Sequence, residues 1–255
     1  MLRVWVIVSI LILFLPYFLF CNVSLVYAEE LSNALVTAAE LGDSDQVQAL
    51  IDQGVSVNAI NEDGWTALMK AVYEGNEDLV QMLIAQGADV DMQENAGWTA
   101  VMMASQFGYR NIVRKLIAIG ADINLKNNTG ATALMFAAIN GQDGVIQELL
   151  EAGVNINIKD NQGKSALLFA ASNGYQRVAQ TLLLAGVDIN AKDSSGNTAL
   201  ILATKQANLD VVKVLLENCV DVRIADREGK TALEWAQEKR YSQILDLLKT
   251  TKPCD

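Results

Sequence analysis

A five-residue phrase, Gly-x-Thr/Ser-Ala-Leu/Val, begins at Gly64, Gly97, Gly130, Gly163, Gly196 and Gly229, always 33 residues apart with no insertion or deletion. Such a period confines the chain to stacked supersecondary units, since one short unit cannot bury its own apolar face and must pack on its neighbours. Two further glycine columns keep the same period: Gly42, Gly75, Gly108, Gly141 and Gly174, then Gly54, Gly87, Gly120, Gly153 and Gly186. The segment from Thr132 shows what lies between them. Thr132 is an N-cap type of residue, and Leu134, Ala137 and Ala138 share one helical face. After Gly141, Val145, Ile146, Leu149 and Leu150 form a second apolar stripe that Gly153 stops. Residues 154–163 alternate apolar and polar side chains and end in turn formers, as an extended finger would. The unit reads as helix, turn, helix, finger, and the fold class as all-α.

These residues resemble the ankyrin repeat. Gly87-Ala-Asp-Val-Asp91, Gly120-Ala-Asp-Ile-Asn124 and Gly186-Val-Asp-Ile-Asn190 match its closing phrase, and Asp160, Asp193 and Asp226 hold its opening Asp. Two columns depart from it. Ala67, Ala100, Ala133, Ala166, Ala199 and Ala232 stand where the family has Pro, and Met69, Met102, Met135, Leu168, Ile201 and Glu234 where it has His. The resemblance implies a solenoid of about seven 33-residue repeats filling residues 29–255, near 29–60, 61–93, 94–126, 127–159, 160–192, 193–225 and 226–255. The first keeps the helical stripes (Leu31, Ala34, Leu35, Ala38, then Val47, Leu50, Ile51) without the Gly-x-Thr-Ala-Leu entry; the last is polar at Glu234, Gln237, Glu238, Lys239 and Arg240. Both read as caps, whose outer faces meet water.

The first thirty residues follow another pattern. Arg3 precedes an apolar run from Val4 to Phe20, and Val26-Tyr27-Ala28 suits a leader peptidase, so residues 1–28 are expected to be a signal peptide cleaved after Ala28. The alternative is an uncleaved anchor, with the array tethered to a membrane. Resemblance to bacterial exported repeat proteins with Thr-Ala-Leu-Met entries implies a periplasmic setting, with secretion as an alternative.

Composition narrows the chemistry. The chain has no histidine, which removes the commonest metal ligand and every Ser-His or Cys-His triad. Nucleic acid is a poor partner for a net charge of -11. Glu62 with Asp63 reads as a solvated finger tip, and Glu77 with Asp78 as the acidic first turn of a helix, not as a catalytic pair. The tips at Asp160 and Asp193 lack calcium-loop spacing, and Met69, Met102 and Met135 share a core column. No enzyme, metal or cofactor is expected.

What remains is a surface. By analogy with the family, the residues free to recognise a partner flank each finger glycine and end each first helix: Glu62, Asp63, Trp65, Tyr73 and Glu74, then Trp98, Gln106 and Phe107. Four aromatics on neighbouring repeats read as a binding patch for a protein that is basic or neutral with an apolar contact element. The alternatives are indoles that only stack along the fingers, or a small ligand in the groove. Beyond them Lys164, Asn173, Asn197, Lys205, Arg227 and Lys230 read as a solvated face, and Trp235 as core. Cys219 replaces the glycine of the third column; one period on is Lys252, two residues short of Cys254. A Cys219–Cys254 bridge and a reduced pair are both open.

Overall fold

The structure, a computed structural model, describes residues 27–250. The expected leader lies outside them except for its last two residues, and so do Cys21 and Cys254. Two compact units meet at the Asp89–Val90 bond and are taken separately.

The first unit holds α1 (27–40), α2 (Ser44–Asp52), α3 (Ala67–Tyr73) and α4 (Glu77–Ala85). The second holds α5 (Ala100–Phe107), α6 (Arg110–Ala118), α7 (Ala133–Ile139), α8 (Asp143–Glu151), α9 (Ala166–Asn173), α10 (Gln176–Leu184), α11 (Ala199–Lys205), α12 (Leu209–Glu217), α13 (Ala232–Lys239) and α14 (Ser242–Thr250). Helices come in pairs joined by a finger, as the sequence predicts. Extended pairing among the described residues is an isolated bridge, Ile60 to Thr66. No described helix is long and apolar enough to cross a membrane.

The two helices of a pair are built differently because their surroundings differ. In the second unit, first helices pack on first helices and second on second. A first helix is therefore enclosed nearly all round: α7 buries Ala133 through Ala138, leaving only Ile139 outside that set. The alanines at 133, 137 and 138 let neighbouring helices approach closely. Met69, Met102 and Met135 are core, each at 1% exposure or less. A second helix buries one stripe, such as Val178, Ala179 and Leu182 in α10, and meets water elsewhere.

Entry into the first helices is set by the Thr of the repeated phrase. Thr66, Thr99 and Thr198 accept from the backbone N–H of Met69, Met102 and Ile201. Thr132 holds the same position without a side-chain cap bond. Thr231 adds a capping box, its N–H donating to the Glu234 carboxylate at 2.6 Å. That explains an acid in the column where the family carries His.

The fingers of the second unit are organised by the opening Asp or Asn. One oxygen of Asp160 accepts from the N–H groups of Gln162 and Lys164, and Asn127, Asp193 and Asp226 repeat the arrangement. Adjacent fingers are then tied by three kinds of bond. Backbone N–H groups of Asn161, Ser194 and Arg227 donate to the carbonyls of Thr129, Gln162 and Ser195. Those of Asn155, Asp188 and Asp221 donate to the side chains of Asn124, Asn157 and Asn190. The ammoniums of Lys126, Lys159 and Lys192 donate the other way, to the carbonyls of Lys159, Lys192 and Ala225.

Left-handed backbone is spelled with glycine through most of the described chain. The exceptions, Ala207, Cys219 and Arg240, have φ of 58°, 61° and 61°, and all lie between α11 and α14. Each L-residue held there costs about 1 kcal/mol relative to glycine.

Candidate protein-binding surface

In the first unit, Asn61 builds the fingertip by accepting from the N–H groups of Asp63 and Trp65. The turn leaves Glu62 and Asp63 exposed and brings Trp65 back onto α3. The Trp65 ring meets Tyr73 edge-on, with centroids 5.6 Å apart and planes at 81°. Lys70 lies over the indole, 4.6 Å from its centroid, and pairs with Glu40 at 3.0 Å. One indole face is thus covered by the protein's own cation. Tyr73, 44% exposed, is the aromatic most open to solvent in this group, with the exposed Glu74 beside it at the end of α3. The structure brings together Trp65 and Tyr73 within a rim of Glu62, Asp63 and Glu74.

In the second unit, Glu94 does the work of Asn61, accepting from the N–H groups of Ala96 and Trp98. Trp98 stacks on Phe136 of the following pair, centroids 3.9 Å apart. Phe107 stacks against Tyr109 at 5.6 Å, and the Gln106 carbonyl accepts from the Gln142 side chain at 3.4 Å. Trp98, Gln106 and Phe107 are all half-buried. The Trp98 ring serves repeat-to-repeat packing, whereas Phe107 stacks within its own repeat.

Two charged constellations escape the sequence reading. Glu148, only 8% exposed, receives Arg110 at 2.7 Å and Arg114 at 2.6 Å, both from the preceding second helix. The Arg114 guanidinium, outweighing burial and helped by Arg110, lowers the Glu148 carboxyl to about 2. Its folded value lies below the ordinary one, so its contribution is complete above about pH 4.5 and disappears as pH falls towards 2. With both guanidiniums about half exposed and screened, Glu148→Gln should cost about 1 to 2 kcal/mol at pH 7 and almost nothing at pH 2. Urea unfolding at the two pH values checks this.

The second constellation is centred on Asp226, one of whose oxygens accepts from Lys205 at 3.0 Å and from the Trp235 indole N–H at 2.8 Å. Lys205 also donates to Asn197 at 2.7 Å and lies 4.0 Å from the Trp235 centroid, with Lys230 at 4.2 Å. Burial pushes the Asp226 carboxyl up, but the Lys205 ammonium, the indole N–H and the Lys230 N–H together hold it below the usual range. Lys205 and Asn197, expected to be solvated, are structural. Trp235 is core, as its column implies. Lys164 lies 5.5 Å from the Phe169 ring centroid.

Chemistry finds little purchase elsewhere. An open notch of about 520 Å³ is lined by Arg110, Asp143, Gly144, Tyr175 and Arg177. Its charges are engaged: Asp143 accepts from Thr181 at 2.7 Å, and Arg110 is held by Glu148. Among the described residues no three His, Cys, Asp or Glu side chains are placed to hold a metal ion. Cys219 is disulfide-bonded; Cys254, the partner in one of the two readings left open, lies outside the described residues.

Compared with protein families, the chain matches ankyrin repeats in three overlapping stretches, residues 35–127, 101–193 and 183–255. No curated protein matches it.

Proposed function

Since the chain belongs to the ankyrin-repeat family, whose repeats are protein-interaction modules, we propose that it is a non-catalytic scaffold that binds and regulates or stabilises a partner protein in the cell envelope. The observation that carries this reading is the Tyr73–Trp65 pair, half open to solvent and fixed by Lys70 inside an acidic rim. An aromatic already held in place loses little entropy on binding, and carboxylates at its edge favour a basic neighbour. The partner is therefore a protein presenting an apolar contact flanked by Lys or Arg. Trp98, Gln106 and Phe107 support the framework from within the second unit. Arg3, the apolar run from Val4 to Phe20 and the Val26-Tyr27-Ala28 end support a periplasmic setting with residues 1–28 removed.

Capture from envelope extract tests the reading, with wild type, Tyr73→Ala and Asp63→Lys/Glu74→Lys as baits and bound proteins identified by mass spectrometry. Tyr73 is exposed, so its loss leaves the fold intact while lowering capture about tenfold or more. The charge-reversed bait should lose the same partner, more so at low salt. Equal capture by all three baits refutes the site, and an intact N-terminus by mass refutes cleavage.

A further inference from the structure

We propose that the lysines of three consecutive fingers, Lys126, Lys159 and Lys192, form a second binding surface, for an extended acidic peptide that carries Asp or Glu at every third residue. This surface lies in the second unit, has the opposite charge to the Tyr73 site and goes beyond the function proposed above. The three lysines hold the same finger position, 33 residues apart, and all are exposed. Each ammonium donates to a main-chain carbonyl of the next finger, at 3.0, 2.9 and 3.2 Å. The end of a long, flexible side chain is thereby held in place before any ligand arrives, and two of its three N–H groups stay available to an acceptor.

The acids nearest to these lysines in sequence are turned elsewhere. Asp160 and Asp193 accept from the N–H groups of their own fingers, and Asp122 and Asp188 from those of Asn124 and Asn190. The ammoniums are therefore the charge that this edge of the fingers presents to water. The ladder also has a definite length. Gln93 holds the position before it and gives its amide N–H to the Lys126 carbonyl, and Ala225 holds the position after it. Three rungs remain, each built in the same way.

Spacing selects the ligand. Fingers follow the stacking of their helix pairs, so successive ammoniums lie about 10 Å apart. In a polyproline II chain three residues make one turn and advance about 9 Å, which puts residues i, i+3 and i+6 on one face at nearly that interval. A β-strand covers a similar distance in three residues but turns residue i+3 to the opposite face. An α-helix needs acids about seven residues apart, over two heptads, and has to order itself first. Polyproline II is already a major state of an unbound chain, so seating three carboxylates on three fixed ammoniums orders little. Nucleic acid fits worse, because its phosphates follow one another at shorter intervals and the chain repels it with a net charge of -11.

The test uses the full mature chain and two fluorescein-labelled peptides, one of three Pro-Pro-Glu units and one of the same composition with its glutamates adjacent, read by anisotropy at low salt. The Pro-Pro-Glu peptide should bind about tenfold more tightly than its rearranged partner, by a margin that shrinks as salt rises. Lys159→Gln removes the middle charge yet keeps a donor for the next finger, as Gln93 does in its own place, and should cost about threefold in affinity. Lys126→Gln/Lys159→Gln/Lys192→Gln should cost about thirtyfold. The two peptides on the wild-type chain decide the matter even if that triple variant does not fold. Tyr73→Ala should bind the peptide as the wild type does, which separates this surface from the one in the first unit. Equal affinity for the two peptides, no loss with Lys159→Gln, or equally tight binding of a single-stranded oligonucleotide overturns the proposal.

Discussion

Replacing Asp226 with Ala should cost about 3 kcal/mol, among the largest effects of any single polar change in the second unit. One of its oxygens organises the last finger through the N–H groups of Glu228 and Lys230, and the other holds Lys205 and the Trp235 indole. Removing the carboxylate leaves the indole N–H buried without its acceptor and lets Lys205, already 4.0 Å from the ring, lose the charge that fixes it there. Asp226→Asn keeps an oxygen for the turn and should cost less than half as much. The folded carboxyl is held below its ordinary range, so this contribution is present at neutral pH and is lost on acidification through the folded value. Urea denaturation followed by Trp235 emission, in a background with the other tryptophans changed to Phe, separates the cases. Equal midpoints for wild type and Asp226→Ala would mean that the network adds nothing to stability.

Gly163→Ala should cost about 3 kcal/mol and Gly229→Ala about 1 kcal/mol, although both glycines open the same repeated phrase. Their φ values, 75° and 76°, impose the same backbone penalty. A Cβ at 163, however, would lie 2.9 Å from the Ser194 backbone nitrogen and 3.2 Å from the Asp193 carbonyl carbon, atoms fixed by the bond from Ser194 to Gln162. A Cβ at 229 meets nothing within 4 Å. The difference in unfolding free energy between the two variants measures the close approach of one finger to the next. Equal losses would assign the whole effect to backbone conformation.

The repeat, its helices and its turns were legible because each depends on neighbours in sequence: Thr before a first helix, glycine after a second, Asp or Asn opening a finger. The candidate site was legible only in part. Trp98 and Trp65 occupy the same column and look alike in sequence, yet Trp98 packs on Phe136, 38 residues away, while Trp65 meets Tyr73 of its own repeat. The partner of a ring across an interface depends on which residue the next repeat happens to place there. The Glu148 clamp was missed for the same reason. Its signal was opposite charges at offsets of 34 and 38 residues, just beyond one repeat, and it becomes readable once the stacking period is used to lay the second helices side by side. Lys205 shows the limit, because its partners Asn197 and Asp226 come from two different fingers.

The finger bonds of the second unit impose a grammar on change. Every junction from Asn124 to Ala225 uses the same donors and acceptors at the same offsets: backbone to backbone, backbone to Asn, and ammonium to carbonyl running back the other way. An insertion of one residue in a finger puts all three out of step at once, whereas gain or loss of a whole 33-residue block leaves each donor facing an equivalent acceptor. Length is therefore free to vary in units and fixed within them, so descent by duplication costs this architecture far less than drift in the length of its loops.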